Sequence, residues 1–148
     1  MVDKQTSSGM YWLCHHGLLL EWCHSYKERA DFIRKNKFIA EVLTRLKWFQ
    51  KVKGKLPKEV VAAAKADNKA LAARDDAWDV CFNTRNEGEA YNKARDAYHK
   101  ACKVYHKKQG AYDKAIKTHL SELNALHKNE QAGCPWDGEI LVFTGPPE

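Results

Sequence analysis

The densest group of metal-ligating and nucleophilic side chains in this chain is Cys14-His15-His16 followed by Cys23-His24. Cys and His are the usual zinc ligands, and His127 with Cys134 would complete a site. The spacing does not fit a zinc finger, because no Cys-x2-Cys and no His-x3–5-His occurs, and no cofactor is expected. Cys102 lies three residues from His99 and four from His106, which makes the three neighbours on one helix. A helix surface brings no oxyanion donor to such a pair, so a Cys–His nucleophile is not expected. The chain also lacks a phosphate-binding Gly loop, a His-Glu-x-x-His helix and a Gly-x-Ser-x-Gly elbow. Binding, not catalysis, is the class these residues favour.

Aromatic and guanidinium groups concentrate in one stretch: Trp12, His15, His16, Trp22, Tyr26, Arg29, Arg34, Arg45 and Trp48. Rings stack on bases and Arg pairs two-pronged with phosphate. The expected ligand site is therefore Trp12, His15, His16, Arg29, Arg34 and Arg45. The three Arg would hold phosphate, and Trp12 or His16 would stack on a base. The expected ligand is an anionic small molecule of the nucleotide type. The plainer reading makes the Trp rings the core of a small N-terminal bundle, with the Arg side chains lying over it.

Charge agrees with an anionic partner. The formal net charge is +6, and it sits in two blocks. Residues 27–55 carry ten Lys or Arg against three acids, and residues 89–128 carry nine against four. Residues 129–148 carry four acids and no Lys or Arg. Such blocks suit nucleotides, nucleic acid or acidic protein surfaces. No apolar run reaches the length of a membrane span, so no membrane partner is expected. Five cysteines, an odd and scattered set, without an apolar leader segment point to a reduced, cytoplasmic setting.

The elements that must position these groups read as helices. Trp12, Leu13, Leu19, Leu20 and Cys23 suggest a short apolar helix over 10–24. Ser25-Tyr26-Lys27-Glu28 has the form of a capping box, and a helix should follow to about Asn36, burying Ala30 and Ile33 with Tyr26 or Phe32. A third should cover about 38–50, with Ile39, Val42, Leu43, Leu46 and Phe49 inward and Arg45, Lys47 and Gln50 outward. Pro57 suits the first turn of a fourth helix, Ala- and Lys-rich over 57–85. Residues 83–88 have turn chemistry, which either reverses the chain or interrupts one long helix. Glu139-Ile140-Leu141-Val142-Phe143 is a short strand or an extended arm.

Tyr recurs at 91, 98, 105 and 112, with Ala or Lys three residues after each. A strict period of seven in this 3-4 alternation is the mark of a paired, supercoiled helix. The expected fold is all-α: short N-terminal helices, a long antiparallel coiled-coil-like hairpin and a short extended C-terminal tail. The expected division is a basic head over 1–56, an arm over 57–128 and a tail over 129–148. A second functional reading follows, in which Tyr91, Tyr98, Tyr105 and Tyr112 form an interaction surface for a homo-oligomer or another protein. A third is non-specific nucleic-acid binding.

The order of motifs resembles a group of small proteins from phages and environmental bacteria that carries no assigned activity. The matching residues are His15-His16, then Arg29, Ile33, Lys37, Glu41 and Arg45-Leu46, then Val52-Lys53-Gly54-Lys55-Leu56-Pro57. A variable number of Ala-Tyr-x-Lys-Ala heptads follows, and His127 with Cys134-Pro135-Trp136-Asp137-Gly138 closes the pattern. The ending in that group often reads Cys-Pro-x-Cys-Pro-Trp-Asp-Gly. Here Gln131-Ala132-Gly133 stands before Cys134, and the missing Cys weakens the case for zinc. A phage context implies action in the host cytoplasm, such as capturing a nucleotide signal of a defence system or blocking a host protein.

Overall fold

Residues 10–24 are not helical. In a computed structural model, which describes residues 8–15 and 18–136, they form antiparallel strands β1 (Gly9–His15) and β2 (Leu18–Cys23). Residues 50–52 add to the free edge of β1: Trp12 donates its backbone N–H to the Gln50 carbonyl (2.9 Å) and Val52 donates to that of Met10 (2.9 Å). Met10, Tyr11 and Trp12 are all buried, so the sheet is covered on both faces. A strand buried on both faces is a continuous apolar run without alternation, and periodicity does not separate it from a buried helix.

The remaining elements are helical: α1 (Tyr26–Asn36), α2 (Ile39–Trp48), α3 (Lys58–Asn83), α4 (Glu89–Thr118) and α5 (Leu120–Glu130). The protein is thus mostly helical, with one small sheet in place of the expected first helix. The possible strand at 139–143 lies outside the described residues. The described residues form two units: one runs from the start to Leu56 and resumes at Leu120, and the other is Pro57–His119.

In the first unit, α1 and α2 cover the Tyr11 face of the sheet. Ser25 caps α1 as the box requires, its Oγ accepting from the Glu28 N–H at 3.3 Å. Tyr11, Cys23, Ile33 and Phe49 form a core, against which Tyr26, Val42 and Leu46 pack. Phe49 forms a triangle of rings with Tyr11 (5.0 Å) and Tyr26 (5.2 Å), which are 5.9 Å from each other. α2 is rotated from the expected register. Ile39 (91% exposed) and Leu43 (79%) face outward, whereas Arg45 is 2% exposed. The burial is tolerable because Arg45 donates from Nε and Nη2 to the Glu41 carboxylate one turn earlier, at 3.1 and 3.0 Å.

α5 covers the Trp12 face. The His127 ring meets Trp12 edge-on at 5.0 Å, and Glu130 gathers three donors. Its Oε1 accepts from the Lys53 N–H (2.7 Å) and from Trp12 Nε1 (3.2 Å), and its Oε2 accepts from the Gly54 N–H (2.9 Å). Position 54 is glycine for a steric reason: a Cβ there would lie 2.5 Å from Leu126 Cδ1 and 2.9 Å from Glu130 Oε2.

In the second unit, residues 84–88 reverse the chain, and α3 and α4 pack together as a helical hairpin. The contacts run antiparallel. Trp78 meets Tyr98 at 5.2 Å, Arg74 lies 4.6 Å from the Tyr105 ring centre, and Glu59 meets His119 at 3.0 Å. The Tyr heptads and Ala94 line the seam, with Tyr112 buried. Opposite them α3 presents Val60, Ala64, Ala70 and Cys81, small side chains that let the tyrosines in. Asp67 is an exception on this face, with a buried Oδ1 that has no hydrogen-bond partner among the described residues. Burial pushes its carboxyl above the usual 3.8, and nearby Asp113 pushes the same way.

Two outcomes follow for stability. Glu130→Ala removes an acceptor shared by three N–H groups, and urea unfolding should show a loss of about 3 kcal/mol or more. Asp67→Asn should stabilise the hairpin at neutral pH. The folded protein holds the Asp67 proton to a higher pH than the unfolded chain does. The stability tied to this group is therefore greatest below the ordinary carboxylate value and is lost as pH rises through the raised one. Thermal melts across that range should show the variant gaining on the parent as pH rises.

Candidate functional site

The helix face that α5 turns inward continues past its end. Leu123, His127 and Gln131 follow at steps of four, and all three are buried. The chain then turns: Cys134 donates its N–H to the Gln131 carbonyl at 3.0 Å, with Gly133 at φ +83° in the third position. A positive φ at that position is the requirement of a type II turn, which glycine meets without strain. The turn sets Cys134 and Trp136 beside α5.

Asn124, His127, Lys128, Gln131, Gly133, Cys134 and Trp136 line a cleft of about 420 Å³, within the range of small-molecule sites. Three polar atoms in its wall are buried and have no hydrogen-bond partner among the described residues: Asn124 Oδ1, Gln131 Oε1 and Trp136 Nε1. Gln131 is only 4% exposed. Native proteins pair almost all such atoms, because each one left unmade costs about 1–3 kcal/mol. The lining residues thus include two amide carbonyls and one indole N–H held beneath the surface of the cleft, together with the exposed Lys128.

Burial favours the neutral forms of Cys134 and His127. Burial pushes the Cys134 thiol up from its usual 9.0, against a smaller opposing effect of the Trp136 backbone. Burial holds His127 below the usual 6.5, and Glu130 opposes it. An activated Cys–His pair needs the reverse on both counts.

The residues expected to bind ligand fall elsewhere. Trp12 is 1% exposed and donates to Glu130. Arg45 is sealed beside Glu41. Arg29 pairs with Glu21 at 3.4 Å and Arg34 with Asp31 at 3.0 Å. His15 belongs to β1, and His16 lies outside the described residues. Trp12 and the three Arg are thus each engaged within the first unit. Tyr98, Tyr105 and Tyr112 are engaged with α3 or buried in the hairpin, and Tyr91 is half-buried. Of the proposed zinc set, His127 and Cys134 do share the cleft. No group of three or more potential ligands occurs among the described residues.

Four residues that carry the resemblance have structural work in the first unit: Ile33 in the core, Glu41 and Arg45 as a pair, and Gly54 beneath α5. Asn124, Gln131 and Trp136 were not legible as site residues. Two are amides on or just past a polar helix, and only their lack of partners marks them. Comparison with protein-family models, with curated proteins and with solved structures gives no match.

The state of His127 is open to a direct check. Its imidazole should titrate below 6.5 by proton NMR. The unfolded chain binds this proton more readily, so stability tied to His127 is full above the ordinary value and is lost as pH falls through the depressed one. His127→Gln should flatten that loss between about pH 7 and pH 5.

Proposed function

We propose that this protein is a non-catalytic binding protein that captures a nucleotide-type ligand in the cleft beside α5. The observation that carries the reading is that three residues lining one cleft, Asn124, Gln131 and Trp136, each hold a buried polar atom with no hydrogen-bond partner among the described residues. Two acceptors and a donor complement the edge of a nucleobase, where an amino group stands beside a ring nitrogen or carbonyl. The neutral interior favours an uncharged heterocycle over a bare phosphate. The phosphate of the same ligand would remain at the rim, near Lys128. Neutral His127 and a high Cys134 pKa support binding over covalent chemistry.

The test is calorimetry of the full chain against bases, nucleosides, and linear and cyclic nucleotides. It is joined to the mass of any small molecule released on heating freshly purified protein. Binding should weaken about fivefold or more in Gln131→Leu and in Trp136→Phe, each of which removes one hydrogen-bonding atom while keeping most of the side-chain volume. No heat across the panel together with no released molecule would overturn the proposal.

A further inference from the structure

The two helices of the hairpin differ sharply in charge. α4 carries eight Lys or Arg against three acids, whereas α3 carries four against five. The Tyr heptads turn one side of α4 towards α3, and the opposite side faces solvent. On that side Lys recurs at 93, 100, 107 and 114, with Lys103 and Lys117 beside the row, and all six are exposed. Among the described residues only Lys93 of these six has an ion-pair partner, the exposed Glu89 at 3.7 Å. A step of seven advances about 10.5 Å along a helix, so the row of four spans about 32 Å.

We propose that this lysine row is a docking face for the backbone of double-stranded nucleic acid, contacted without regard to base sequence. The length of the row is close to one turn of a duplex, about 34 Å. Regular cations on a rigid rod match a partner whose charge is itself linear and regular. Asn92, Asp96, His99, His106, Gly110 and Asp113 share this face, and none of them is Arg, the commonest base reader in the major groove. A single strand would need large rings on which to stack, and the tyrosines lie on the other side of the helix, leaving this face only the His99 and His106 imidazoles. A membrane surface would need several large apolar side chains among the lysines, and the row has only Val104 exposed beside it. The proposal is independent of the cleft.

The experiment is fluorescence anisotropy of the full chain with a labelled duplex of two to three turns across a salt series. Affinity should fall with salt at a log–log slope of roughly −3 to −4, about −0.9 for each phosphate met by a lysine. Lys100→Gln with Lys107→Gln should lower affinity about tenfold or more at low salt and reduce the slope by about two. Lys35→Gln with Lys69→Gln removes the same charge from exposed positions off the row, and it should leave affinity within about twofold. Circular dichroism of both variants establishes that the helices persist. No salt-dependent binding, equal losses in the two variants, or tighter binding of a single strand or of anionic vesicles would overturn the assignment.

Discussion

One carboxylate closes the first unit. Glu130 stands at the end of α5, and its two oxygens receive the Trp12 indole and the backbone N–H groups of Lys53 and Gly54. Those donors belong to a strand near the start of the chain and to the segment that leads into α3. A single side chain therefore fastens three pieces that lie far apart in sequence. It can do so only because Gly54 lacks a Cβ and because His127 brings α5 against Trp12 of the sheet. The cleft inherits its geometry from this fastening, since Gln131, Cys134 and Trp136 follow directly.

The sheet sets the second constraint. Tyr11 and Trp12 are adjacent in the chain and point to opposite faces. Both are almost wholly buried, so each face needs its own cover. α1 and α2 supply one and α5 the other. The guanidinium of Arg45 is held on the α2 side by an acid from its own helix, which makes this pair part of the scaffold and not a reader of phosphate.

What the residues revealed in advance depended on whether the signal was local. The capping box at Ser25, Pro57 before α3, the turn chemistry over 83–88 and the Tyr heptads are local, and the helices they mark are present. The strands were hidden because cover on both faces erases alternation. The rotation of α2 was hidden because burial of Arg45 depends on a partner, and amphipathic patterning assigns a lone Arg to solvent. The cleft was hidden for a different reason: an amide without a partner is a property of packing, and Asn124 and Gln131 look like ordinary polar positions in the chain. Cys134 stood out as a possible zinc ligand, and Trp136 only as part of the closing Cys-Pro-Trp-Asp-Gly pattern.

The hairpin is interposed between two stretches of the first unit, and its own ends are neighbours, with Glu59 and His119 3.0 Å apart. Adding or deleting one heptad on α3 together with one on α4 would move the distal bend by about 10.5 Å and leave those ends where they are. The arm is in this sense a ruler with seven-residue graduations. Its extent can change without any adjustment in the part that holds Trp12 and Glu130.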